Sequence, residues 1–137
     1  MADEVRVHPV TGATLRRGVR PFTFSFATLS RTVDVGGWYP ADDGDGILEG
    51  PDLLKINAAQ TEMRAEYAAS VRKLRKSLKL TQEAAGRLIG GGKRAFQKYE
   101  SGKMPPSDSA VAVIELLRRD PSGLEVLKRL PGRQVEG

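Results

Sequence analysis

The chain has 137 residues, no cysteine, a single histidine (His8) and a formal net charge of +5 at pH 7. These counts exclude disulfides, thiolate metal sites, a histidine-based catalytic pair and a multi-histidine zinc cage, and no stretch reaches the ~18 consecutive apolar residues of a membrane span. Charge is divided unevenly: residues 1–50 carry five Lys/Arg against seven Asp/Glu, or −2, and residues 51–137 carry seventeen against ten, or +7, so the second half is the candidate to meet a polyanion.

The opening MADEVRVHPV holds acids where a signal peptide needs a basic flank and an apolar run, and a cytoplasmic location is expected. From Arg20 to Pro40 the residues alternate, with Phe22, Phe24 and Phe26 on one face, Thr23 and Ser25 on the other, and Val33 and Val35 after a short break. This period of two predicts a β-hairpin turning near Ala27 to Ser30, with Val5 and Val7 supplying a third strand. Gly36 and Gly37, and then PADDGDG at 40–46, read as turn chemistry. The acids Asp42, Asp43, Asp45 and Glu49 lack the spacing of a calcium loop and are read as a solvated segment.

Past Gly50 the period changes to that of a helix. Ile56, Ala59, Met63, Tyr67, Val71, Leu74 and Leu78 recur every three or four residues and predict one long helix, or two consecutive ones, over 52–79. Four further helices follow. Thr81 caps QEAAGRLIG, which Gly90, Gly91 and Gly92 terminate; KRAFQKYES is the next; Ser107 or Asp108 caps SAVAVIELLRR, whose Ala110, Val113, Ile114 and Leu117 point inward; and Asp120 and Pro121 begin a last helix bearing Leu124, Leu127 and Leu130. The fold class is α+β, a small N-terminal sheet followed by an all-α unit of about five helices.

Two short helices joined by a tight glycine turn, the second cationic on one face, form a helix-turn-helix whose second helix enters the major groove of DNA. At 100° per residue Arg94, Gln97 and Lys98 share an arc, while Phe96, with Tyr99 and Ala95 beside it, points the other way. Arg94 and Lys98 can donate to guanine O6 and N7, and Gln97 can pair with adenine. The glycines supply positive φ and let backbone approach a phosphate. Thr81 and Gln82, helped by Lys79, Lys93 and Lys103, are assigned to the sugar-phosphate backbone. No nucleophile–base pair is visible, and GGGK at 90–93 lacks the spacing of a phosphate loop, so no enzyme activity, no cofactor and no metal are expected.

The segment LTQEAAGRLIGGGKRAFQKYESGKMPPSDSAVAVIELLRRDP resembles the C-terminal domain of the MqsA-type antitoxins, a branch of the Xre/Cro repressor class, in its LTQ, GGG, AF, YE, G and P spacings. The resemblance implies a five-helix domain that dimerises and represses its own operon, and its base-reading positions, before Ala-Phe and before Tyr-Glu, fall on Arg94 and Lys98. More loosely, RGVRPFTFSF and TVDVGGWYPADDGDGIL resemble that family's zinc-binding domain, in which one Cys-x-x-Cys precedes the first strand and another follows Gly-Trp-Tyr. The four places here hold His8, Thr11, Pro40 and Asp43, too few donors for zinc, so the resemblance implies a zinc-less version of the domain, held by Phe22, Phe24, Phe26, Val33, Val35 and Trp38.

The organisation expected is therefore an N-terminal β-rich domain over 1–50, a helical linker over 51–66, and a DNA-binding and dimerisation domain over 67–137. The function expected is that of an antitoxin in a type II toxin–antitoxin pair: a homodimer on a palindromic double-stranded operator, whose N-terminal sheet neutralises a toxin, by resemblance an MqsR-like ribonuclease of RelE-type fold. The alternative is a free-standing Xre-family regulator whose N-terminal domain senses a ligand or binds another protein.

Overall fold

The computed structural model describes residues 4–133. Three strands, β1 (Val5–Val7), β2 (Thr14–Phe26) and β3 (Leu29–Tyr39), precede five α-helices: α1 (Gly50–Ser77), α2 (Gln82–Ile89), α3 (Ala95–Ser101), α4 (Asp108–Arg119) and α5 (Leu124–Arg129). A single 3₁₀ turn, Pro121–Gly123, leads into α5. Two compact units emerge, one comprising the chain up to Ser25 with Ser30–Glu62, the other Phe26–Leu29 with the chain from Met63 onward.

In the first unit the antiparallel sheet has the order β1-β2-β3, with Val5 opposite Arg16 and Val7 opposite Thr14. The hairpin turns on Ala27 and Thr28, where Ala27 adopts a left-handed φ of 53°. Strand β2 begins six residues before the alternating run: TLRRGV carries no period-two signal, but its Thr14–Arg16 pair with β1. Gly36 and Gly37 lie inside β3 and do not form the expected turn. Their role is close approach: a Cβ on Gly37 would stand 2.7–2.8 Å from Leu48 and the Tyr39 ring, and one on Gly36 would stand 3.0 Å from the Arg17 guanidinium.

The side chains that hold this unit match expectation in part. Val35 and Trp38 are buried as expected, together with Leu15 and Tyr39, whereas Phe22 and Phe24 are only half-buried and stack on each other with ring centroids 6.4 Å apart. Phe26 belongs to the other unit, where it meets Tyr67 edge-on at 6.0 Å. Cations complete the sheet: Arg6 and Arg17 lie over the Trp38 ring at 4.2 and 5.5 Å, an arrangement that attracts the guanidinium to the ring face. Arg6 also pairs with Glu49. Arg17 grips the buried Asp52 with two hydrogen bonds of 3.0 and 3.1 Å, and Asp52 accepts from the Glu49 N–H at 2.9 Å, which caps α1.

Helix α1 is one uninterrupted element, as the absence of Pro and Gly between Asp52 and Lys79 allows, and Ala59, Met63, Tyr67, Val71 and Leu74 of its stripe are buried. Around its second half the core gathers Leu88, Ile89, Phe96, Tyr99, Ile114, Leu117, Leu124 and Leu127. Ser107, not Asp108, caps α4, accepting from the Ala110 N–H at 3.2 Å. Leu130 lies just beyond α5 and is exposed, because that helix starts only after the 3₁₀ turn and ends a residue early.

Candidate nucleic-acid interface

Helix α2 is capped by Thr81, whose Oγ1 accepts from the Ala84 N–H at 3.1 Å and keeps its own proton free to donate. Ala85, Gly86, Leu88 and Ile89 are buried on one side, and Gln82 is half-buried at the start of the helix. The chain then turns on Gly90, Gly91 and Gly92, with φ of 137°, 95° and 91°. All three values lie in the region that side chains avoid. The Gly86 carbonyl accepts from the N–H groups of both Gly90 and Gly92, at 3.1 and 3.2 Å, and a Cβ on Gly86 would collide with the Gly92 carbonyl. A Cβ on Gly91 would stand 2.5 Å from the Tyr99 hydroxyl and 2.6 Å from Ala95 Cβ. Four glycines thus serve one purpose, to bring α2 and α3 close together.

Helix α3 begins at Ala95, two residues later than the run KRAFQKYES suggests, so Arg94 is its N-cap residue (φ −105°, ψ 3°) and Lys93 belongs to the turn. Ala95, Phe96 and Tyr99 are buried, Phe96 completely and in edge contact with Tyr99 at 5.4 Å. Burial also pushes the Tyr99 phenol above its ordinary pKa, so it remains neutral. On the other side Lys93, Arg94, Gln97 and Lys98 are all exposed. Lys79, left-handed at φ 58° where α1 ends, and Lys103, after the Gly102 cap, are exposed as well. Within a span of six residues, from the turn before α3 to its solvent side, the unit therefore presents three cations and an amide, while the inner side of the helix is anchored in the core.

What anchors α3 electrostatically has no counterpart in the sequence reading. Arg75, near the end of α1, donates from Nε and Nη2 to the two carboxylate oxygens of Glu100 at 2.8 and 2.9 Å, and from Nη1 to the Leu80 carbonyl at 2.9 Å. Both side chains are nearly out of solvent, 12% and 5% exposed. The hydrogen bonds to Glu100 raise the Arg75 pKa, so the guanidinium stays charged. The pair ties α1, the link to α2, and α3 into one body. A signal for it was present: Arg75 follows Val71 by four residues, a charge placed on the inward stripe of an amphipathic helix.

The four N-terminal places that a zinc domain would fill do not form a metal site, and among the described residues no three of His, Cys, Asp and Glu converge. His8 Nδ1 accepts from the Val10 and Thr11 N–H groups at 3.1 and 3.2 Å, Thr11 Oγ1 accepts from the Ala13 N–H at 3.3 Å, and Pro40 has no side-chain donor. These residues do not fit zinc, whose structural sites take four N or S ligands.

The sequence profile of a family described as "Antitoxin component of bacterial toxin-antitoxin system, MqsA" matches residues 6–128, which takes in both the sheet and the helices. The chain belongs to the MqsA antitoxin family. Among its relatives is "Antitoxin MqsA" of Escherichia coli (strain K12), 32% identical over 78 residues, which are 56% of this chain and 60% of that protein. The chain thus spans about three-fifths of that relative's length. Family membership places it with the antitoxin components of toxin–antitoxin systems, and no helix among the described residues is long and apolar enough to cross a membrane.

Proposed function

We propose that this MqsA-family chain is an antitoxin that represses its own operon, binding a palindromic operator as a homodimer through α3 and neutralising a toxin through its N-terminal sheet. One observation carries the DNA reading: Lys93 and Arg94, at the entry to α3, and Gln97 and Lys98, on it, are exposed together while Ala95, Phe96 and Tyr99 of the same helix are buried. Those four side chains are the types that pair with phosphate and with base edges in the major groove. In this reading Arg94, Gln97 and Lys98 read bases, and Thr81, Gln82, Lys79, Lys93 and Lys103 hold the backbone on either side. The Arg75–Glu100 pair sets the angle at which α3 is offered.

A palindrome calls for a two-fold pair of such domains. The surface that supports this is the apolar groove between α4 and α5, where Leu116 and Val126 are 69% and 60% exposed beside Val113, Leu117 and Leu127. Leu116→Glu there yields a monomer in sedimentation and loses cooperative operator binding, while a dimer that survives the change removes this surface from consideration.

The toxin is taken to be an MqsR-like ribonuclease of RelE-type fold, on the strength of the family. The test of the DNA reading is a gel-shift titration against the upstream region of the gene and a scrambled duplex of equal length, at two salt concentrations. Preference for the native duplex that fails with Arg94→Ala supports it; equal binding that salt abolishes overturns it. Co-purification of an inhibited ribonuclease supports the toxin reading, and a toxin still active at saturating protein refutes it.

A further inference from the structure

Arg20 stands on β2, in the N-terminal unit, and its guanidinium reaches into the loop that follows β3. Nη1 donates to the Gly44 carbonyl at 2.8 Å, and Nη2 donates to the carbonyls of Pro40 and Asp42 at 3.0 and 2.5 Å. The same guanidinium lies 4.6 Å from the centroid of the Tyr39 ring. Three main-chain carbonyls converging above an aromatic face make a seat for a cation, and here the cation is part of the chain. Asp42 finishes the loop by accepting the Gly44 N–H on Oδ1 at 2.8 Å.

The loop at residues 8–13 is closed separately, by the His8 ring and the Thr11 hydroxyl. His8 and Asp43 line a single open cavity of about 490 Å³, and Arg20 and Tyr39 line it with them. Arg20 thus borders both of the loops that would carry the paired cysteines of a zinc domain. A fixed guanidinium can do there what a bound ion does, drawing backbone oxygens to one point, without deprotonated ligands or a metal supply.

We propose that Arg20 is the organising cation of the N-terminal unit, and that this unit folds without metal. The inference concerns folding alone and stands whether or not the chain binds a toxin or DNA. It is read out by Trp38, the sole tryptophan, which lies in this unit and is 3% exposed. Unfolding of the full chain is followed by Trp38 emission, with and without EDTA, for the parent, Arg20→Ala and Arg20→Lys. EDTA leaves the parent's Trp38 midpoint unchanged, whereas Arg20→Ala lowers it by on the order of 10 °C while the far-ultraviolet transition of the helices persists. Arg20→Lys recovers only a minor part of the loss, because an ammonium cannot span three carbonyls as a planar fork does. Should Arg20→Ala not fold, the Arg20→Lys midpoint decides. A midpoint that falls with EDTA, an Arg20→Ala variant as stable as the parent, or an Arg20→Lys variant equal to the parent overturns the proposal.

Discussion

Removing the Glu100 carboxylate tests whether the buried pair with Arg75 holds α3 in place. In Glu100→Ala the Arg75 guanidinium keeps one of its three hydrogen bonds, that to the Leu80 carbonyl, in a position only 12% exposed. Stranding a buried charge in this way costs about 3–5 kcal/mol. The helical unit, from Met63 onward, is of a size at which each kcal/mol lowers Tm by roughly 4–8 °C, so the expected fall is at least ~12 °C. Thermal and urea unfolding by far-ultraviolet circular dichroism measure it. Arg75→Met with Glu100→Leu removes both charges and should recover most of the loss, so the double-mutant cycle gives a coupling of about 1.5 kcal/mol or more. A Glu100→Ala variant within about 0.5 kcal/mol of the parent, or a double variant worse than the sum of the singles, would refute the role given to the pair.

Other outcomes follow from the same geometry. Arg94→Ala or Lys98→Ala should cost about 1–3 kcal/mol on the operator and relax its sequence preference, whereas Lys93→Ala should weaken all DNA similarly and reduce the salt slope by about one unit, both measurable by fluorescence anisotropy. Phe96→Ala empties a fully buried site and should destabilise the helical unit by about 3–5 kcal/mol; an unchanged melting temperature removes it from the core. The hydrogen bonds from Arg17, and then the Glu49 N–H, hold the Asp52 carboxyl below its ordinary range. Its folded pKa is thus lower than its unfolded one, so the stabilisation is fully present above about pH 4 and is lost as pH falls through the folded value. Trp38 emission should report that acid loss in the parent and a flatter profile in Asp52→Asn.

The helices were legible because their signals are local. The stripe from Ala59 to Leu74 repeats about once per turn, the cap at Thr81 and the glycine stop each reside within one or two turns, and the structure places them as the pattern implies. Strand β1 at Val5–Val7 was legible too, but the first half of β2 was not, since TLRRGV carries no period-two signal and becomes a strand where Thr14–Arg16 pair with β1. The glycines show the limit plainly: Gly90 to Gly92 announced a turn and form one, while Gly36 and Gly37 announced a turn and serve as space for the Tyr39 ring and Arg17. Composition is the same in both cases, and only partners distant in sequence tell them apart. Arg20 and the Arg75–Glu100 pair were hidden for that reason, each joining residues more than eighteen positions apart. Arg94 was placed in the helix by counting, yet it caps α3, because a glycine turn this tight delays the first helical residue.

The turn between α2 and α3 divides labour in a way that bears on how such proteins diversify. Gly86, Gly90, Gly91 and Gly92 are confined by backbone collisions or left-handed geometry, so almost any substitution there damages the fold. Arg94, Gln97 and Lys98, a few residues away, touch solvent and little else of the core, so their identity can drift at small cost to stability. If these three side chains read bases, as proposed above, duplicated copies of such a gene in one genome would acquire separate operators by exchanging them, which would insulate each operon from its neighbour's repressor while every copy kept the same scaffold.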